Sequence, residues 1–177
     1  MAVDLQHAFV DPVSPWFTPT LRSTVDVIAT LVPHYGSRVI FTRFVPPADI
    51  SGSWRAYYDK WPFAVGTQDS ELWSVIDPWK QATSVASHTF SKWVPDLHAL
   101  VGAHPTIVLC GVSTDCCILA TAFAAVDGGA HVRVVADACT AKTPAAHEAA
   151  LAMMRARAPQ LAIVTAQEER AAMAQAG

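Results

Sequence analysis

The stretch running from Thr106 to Gly129 constrains this chain more than any other. Thr106–Leu109 is a short β-branched and apolar run, the pattern of a buried strand. Gly111 punctuates its end, and Thr114 and Asp115 offer N-cap side chains. Cys116–Val126 is almost wholly apolar and rich in Ala, which predicts a buried helix stopped at Gly128–Gly129. The chain thus leaves a strand, turns sharply, and enters a helix with a cysteine in its first turn. Helix N-termini carry unpaired N–H groups and a partial positive charge, which biases a thiol there toward thiolate. The spacing alone leaves two readings open: a nucleophilic cysteine, or two small apolar residues on a buried helix. Cys110 and Cys139 fit the second description.

The rest of the chain alternates strand and helix patterns in the same way. Thr18-Pro19 opens a helix with Leu21, Val25, Ile28 and Val32 at helical spacing, ended by Pro33 and Gly36. Strands are predicted at Arg38–Phe44 and Thr83–His88, and a helix from Asp96 to Ala103. After the cysteine helix come a strand at His131–Ala136, a helix starting at Thr143-Pro144 and stopped by Pro159, and a strand at Leu161–Val164. Thr165-Ala-Gln-Glu168 is a capping box for the C-terminal helix. Alternation of this kind implies a mostly parallel sheet with helices on both faces, six strands in one domain over residues 1–177. Residues 46–82 interrupt the pattern as an aromatic-rich insertion or flap. Within it Trp54, Tyr57, Tyr58 and Trp61 fall on one face of a short helix, able to pack on the domain, on a second subunit, or against substrate.

Gly111-Val-Ser-Thr-Asp-Cys-Cys117-Ile, Thr121-Ala122, Gly129 and Val132-Arg-Val-Val-Ala-Asp137-Ala138 together resemble the isochorismatase-like cysteine hydrolase superfamily. The resemblance implies a Rossmann-like three-layer α/β/α fold and makes Cys117 the nucleophile, with Cys116 in a variable slot. It also implies a non-proline cis peptide at Val112–Ser113 and an oxyanion hole formed by the N–H groups of Ser113 and Cys117. The opening Met1-Ala-Val-Asp4-Leu-Gln6-His-Ala-Phe9 is similar to the family's Asp-x-Gln-x-x-Phe, which carries the base role to Asp4 and a substrate contact to Phe9. Only three residues precede Asp4, where strands average about five to six, so the strand is clipped or its start lies upstream. The family's lysine is expected three residues before an aromatic-Ser-small-aromatic run. Aligned on Phe90-Ser-Lys-Trp93, that slot holds Ser87. Lys92, the only lysine between Lys80 and Lys142, has a stem long enough to deliver its ammonium from a displaced origin, with His88 as the alternative.

The activity so implied is cleavage of an amide-like C–N bond of a small molecule, through an acyl-enzyme on Cys117 with Asp4 and Lys92 completing a triad. Trp54, Tyr58 and Trp61 join Phe9 as expected substrate-binding residues. Two other readings stand beside it: a vinyl-ether hydrolase of the isochorismatase type, and a catalytically silent oligomeric binding member. No cofactor is implied. The metal-binding members carry Asp-x-His after the second strand, whereas Thr42–Ser51 has no His near Asp49, so no metal is expected. The family habit implies a homodimer or homotetramer.

Composition narrows the partners further. The chain is 52% hydrophobic and 15% charged with a net charge of −3, which gives no basic footprint for nucleic acid. Four cysteines, two of them adjacent, make no disulfide framework, no N-terminal signal is visible, and no run is long enough to span a membrane. These point to a reduced, cytoplasmic protein.

Overall fold

The computed structural model describes residues 1–176. Six strands, β1 (Ala2–Val3), β2 (Phe41–Phe44), β3 (Ser84–Ser87), β4 (Thr106–Val112), β5 (His131–Thr140) and β6 (Leu161–Val164), form one sheet in the order β3-β2-β1-β4-β5-β6. Every pairing is parallel. The helices are α1 (His7–Val10), α2 (Leu21–Tyr35), α3 (Trp54–Lys60), α4 (Pro95–Val101), α5 (Leu119–Asp127), α6 (Pro144–Arg155) and α7 (Ala166–Ala176). The expected α/β architecture is the one found, with the sheet parallel throughout.

Strand alternation explains why both faces are covered. On β4, Cys110 and Val112 join Leu21, Ile28 and Leu31 of α2 in one core. Ile107 and Leu109 join Ala122 and Ala125 of α5 and Leu151 and Met154 of α6 in the other. Successive side chains of a strand point to opposite faces, so a strand buried on both sides is apolar throughout. Gly111 sits at a register shift of β4 with φ +119°, and a Cβ there would collide with the Val3 backbone, so only glycine lets β1 and β4 pair this closely.

Several boundaries differ from the sequence expectation for local reasons. The second strand begins at Phe41 because Gly36–Arg38 winds into a 3-10 turn. Pro33 lies inside the last turn of α2 instead of ending it, and Thr20, not Thr18, is the N-cap. Helix α4 spans Pro95–Val101, starting and ending before the expected range. Strand β5 continues to Thr140, beyond the expected Ala136. Thr165 and Glu168 form the anticipated capping box, with Thr165 N–H donating to Glu168 Oε2 at 2.7 Å and Glu168 N–H to Thr165 Oγ1 at 3.2 Å. No helix among the described residues is long and apolar enough to cross a membrane.

Chain order positions the site. The chain builds β1, β2 and β3 outward on one side, then returns to lay β4, β5 and β6 on the other. The switch point is therefore the crevice between β1 and β4, beyond their C-terminal ends, where open α/β sheets bind ligands.

Candidate active site

Asp4 directly follows β1, and its backbone turns through φ 52°, a left-handed conformation that Asp tolerates better than most residues. The side chain is fully buried. Thr42 of β2 holds it from the neighbouring strand: its hydroxyl donates to Asp4 Oδ1 at 2.7 Å and accepts from Asp4 N–H at 3.2 Å. Lys92, also fully buried, brings its ammonium to 3.1 Å from Asp4 Oδ2. That approach is an ion pair without a well-aligned hydrogen bond, so Oδ2 keeps an open acceptor position. Lys92 Nζ donates instead to the Thr89 carbonyl at 3.0 Å and lies 5.0 Å from the Phe44 ring centroid. Its backbone N–H is fixed by Thr121 Oγ1 of α5 at 2.8 Å. The loop after β3 thus folds back so that a lysine five positions after Ser87 still meets Asp4. His88 is exposed, its ring near Trp54.

Cys117 lies beyond β4 in a wide π-type turn, Thr114–Ile118, that leads into α5; the expected uniform helix from Cys116 is replaced by these two pieces. Neither expected cap residue caps this turn. Ser113 is the N-cap residue, Thr114 Oγ1 shares a 2.9 Å hydrogen bond with His147 Nδ1 of α6, and Asp115 accepts from the Ser113 hydroxyl. The Val112–Ser113 peptide is cis. The N–H groups of Cys116 and Ile118 both donate to the Ser113 carbonyl at 3.1 Å, passing over that of Cys117 between them.

All four cysteines are free thiols. The two in the turn are electrostatically linked. The Cys117 thiol is pushed well above its ordinary pKa by its hydrogen bond with Cys116, by burial and by the negative charge of Asp4, against a smaller opposite pull from Lys92. Cys116, only half-buried, is drawn downward by the same hydrogen bond. The expected thiolate bias at Cys117 is therefore not what the resting protein shows: the hydrogen bond with Cys116, desolvation and a neighbouring carboxylate together outweigh the helix-terminal field. Burial also raises Cys110 and Cys139, which belong to the two cores.

A cavity of about 240 Å³ opens over Cys117, with Cys116 and Ser113 beside it. Of the four residues expected to bind substrate, Phe9 and Trp61 line it, and Trp54 and Tyr58 do not. Tyr58 is 2% exposed and packs between Trp54 and Tyr57, so one turn of α3 faces the domain while Tyr57 and Trp61, four residues apart, face the cavity. Trp16, Phe44 and Phe90 complete the aromatic wall, and Trp16 stacks on Phe9 with ring centroids 5.9 Å apart. Sequence reasoning missed Trp16, which sits in a loop without periodicity, and Thr42, whose only signal is a hydroxyl at an inward position of β2, the strand beside β1.

An all-parallel α/β sheet whose switch-point crevice holds a buried Asp–Lys pair and a cysteine-bearing turn has the architecture of an isochorismatase-like hydrolase. The isochorismatase domain model matches residues 1–169, and the chain belongs to that family. Isochorismatase domain-containing protein 2 of Bos taurus is 39% identical over 72 residues, which are 39% of this chain and 35% of that protein, so the match spans about a third of the curated relative. A cysteine hydrolase from Pseudomonas syringae pv. phaseolicola shares the fold with a TM-score of 0.82 at 20% identity, covering 99% of this chain and 92% of that one. The pyrazinamidase of Pyrococcus horikoshii, solved in complex with zinc, superposes with a TM-score of 0.70 at 21% identity over 93% of this chain and 96% of that one. The residues here do not fit a zinc site: among the described residues, no three His, Cys, Asp or Glu side chains are grouped to hold a metal ion.

Proposed function

We propose that this protein is a cysteine hydrolase that cleaves an amide-like C–N bond of a small molecule through an acyl-enzyme on Cys117. The observation that carries the reading is the fully buried Asp4–Lys92 pair, 3.1 Å apart, whose charges both act on the Cys117 thiol at the floor of an aromatic cavity. A buried ion pair is weak evidence for stability alone, and perturbed titratable groups in a cleft are a mark of chemistry.

Because the resting thiol is protonated, attack and deprotonation go together. Cys117 Sγ adds to the substrate carbonyl as its proton passes to Asp4, whose Oδ2 has the open acceptor position. Lys92 balances the buried carboxylate before the transfer. The N–H groups of Ser113 and Cys117 take the developing oxyanion. Collapse breaks the C–N bond, the proton on Asp4 leaves with the amine, and a thioester remains. Water, deprotonated by Asp4, then releases the acid and restores the thiol.

The test is a panel of small amides and ureides, screened for ammonia release, with mass spectrometry of the intact protein for an acyl adduct on Cys117. An adduct that disappears in Cys117→Ala supports the mechanism. Turnover without any adduct, and surviving in Cys117→Ala, would assign the protein to vinyl-ether chemistry instead. Inertness of folded protein toward every amide would favour a silent binding role. The working unit we propose is a homodimer or homotetramer, a reading supported by family likeness and by the exposed Val13, Leu100 and Met153.

A further inference from the structure

We propose that the cavity selects substrates carrying an anionic group at the end remote from the reacting carbonyl, and that Lys142 is the residue that selects them. This rests on the hydrolase reading for where the carbonyl sits. Cys117, 5% exposed, lies at the floor. Lys142, exposed yet part of the lining, stands at the mouth, in the loop between β5 and α6. A substrate reaching both must present its carbonyl inward and its other end to this ammonium.

Three observations set the sign of the charge. No carboxylate side chain lines the cavity among the described residues, so Lys142 is its one formal charge apart from the thiols. Asp4, whose charge reaches the Cys117 thiol at the floor, is paired with Lys92 and is not itself part of the lining. The chain as a whole carries −3, so the positive mouth is a local arrangement and no part of a general basic surface. Lys142 is also held in place: Nζ donates to the Pro15 carbonyl at 3.1 Å, and Pro15 itself lines the cavity. An ammonium has three donors, so two remain for a ligand. Between floor and mouth the walls are Trp16, Phe44, Tyr57 and Trp61, which favour a flat, weakly polar body.

The experiment compares 4-carbamoylbenzoate with its neutral isostere 4-(hydroxymethyl)benzamide. Binding is read by tryptophan fluorescence quenching in the Cys117→Ser protein, so the result stands apart from turnover; kcat and KM follow from ammonia release in the parent enzyme. The anionic probe is expected to bind at least about tenfold more tightly, the scale of one charge-assisted hydrogen bond. Lys142→Met should bring the ratio of the two affinities near one, Lys142→Glu should invert it, and Lys142→Arg should retain it. In turnover the preference should appear in KM. A ratio near one in the parent, a ratio that survives Lys142→Met, or binding of neither probe overturns the proposal. So does an equal loss for both probes in Lys142→Met, which would make the lysine merely a brace for Pro15. Selective binding without hydrolysis of either probe would sustain the charge selectivity and count against the amide-hydrolase reading.

Discussion

Replacing Lys92 by Met removes one half of a fully buried ion pair and leaves a carboxylate with no cation. Two unit charges 3.1 Å apart attract by about 5 kcal/mol at an effective dielectric of about 20. Much of that attraction offsets desolvation in the intact protein, but removing one partner exposes the penalty, typically about 3–5 kcal/mol. The Thr89 carbonyl also loses its donor, at a cost of about 1 kcal/mol. Lys92→Met should therefore lower unfolding stability in urea at neutral pH by about 3–5 kcal/mol, a large share of what a domain of this size possesses. Asp4→Asn should be costly for the mirror-image reason. The Asp4→Asn/Lys92→Met double variant buries no charge at the pair and should be more stable than the two losses added together, with a coupling energy of about 2–4 kcal/mol. Activity separates structure from chemistry: the double variant should regain stability and remain inactive. In the single variant the Cys117 thiol should titrate still higher, because the downward pull of Lys92 is gone. A Lys92→Met protein within 1 kcal/mol of the parent, on the order of an exposed pair, or an additive cycle, would refute the reasoning.

Iodoacetamide at neutral pH is expected to modify Cys116 before Cys117, because Cys116 is half-buried and drawn downward while Cys117 is buried and pushed up; peptide mapping that finds Cys117 alkylated first would contradict this. Gly111→Ala should cost at least about 3 kcal/mol in urea unfolding, since its Cβ would meet Val3 N at 2.8 Å with the backbone at φ +119°. Stability should fall in alkali: Cys110, Cys117 and Cys139 titrate above the ordinary 9.0, so the unfolded chain loses protons first. Their contribution is whole below pH 9.0 and is lost as pH rises beyond it, and a urea midpoint unchanged from pH 8 to 10.5 would be the contrary result. Light scattering at micromolar concentration should give a multiple of 19.0 kDa, and a monomer would count against the proposed assembly.

How much of this was legible in the sequence follows from which interactions are local. The order strand, turn, helix around Cys117 and the capping box at Thr165 are written in neighbouring residues and both formed, although the strand runs on to Val112 and the helix divides into a π-type turn and α5. Boundaries moved where nonlocal pairing decided them, as at β5, whose extension to Thr140 follows its partner β4 to Val112. The thiolate bias at Cys117 was a local inference from a helix terminus. It failed because the hydrogen bond with Cys116, burial, and Asp4, 113 positions away in sequence, all act on the same sulfur. The cavity wall was half legible. Helical periodicity gathered four aromatics onto one face of α3, but periodicity cannot say which edge of that face turns toward the domain, so Tyr58 packs inward while Tyr57 lines the cavity.

The placement of Lys92 shows why motif spacing and chemistry can part. What the proposed chemistry requires is an ammonium at one point beside Asp4, and the backbone origin of that ammonium is free within the reach of a lysine stem. Strand β3 ends at Ser87, the slot where a family lysine would stand, and the chain then crosses Thr89 and Phe90 before Lys92 turns back. Two contacts fix that return: Thr121 of α5 holds the Lys92 N–H, and Thr89 accepts from its ammonium. Neither partner carries charge, so the cation is left to a single counter-ion at 3.1 Å. A shifted lysine that meets Asp4 is what a requirement on charge position produces; a solvated lysine beside Trp93 would have had no reason to be buried.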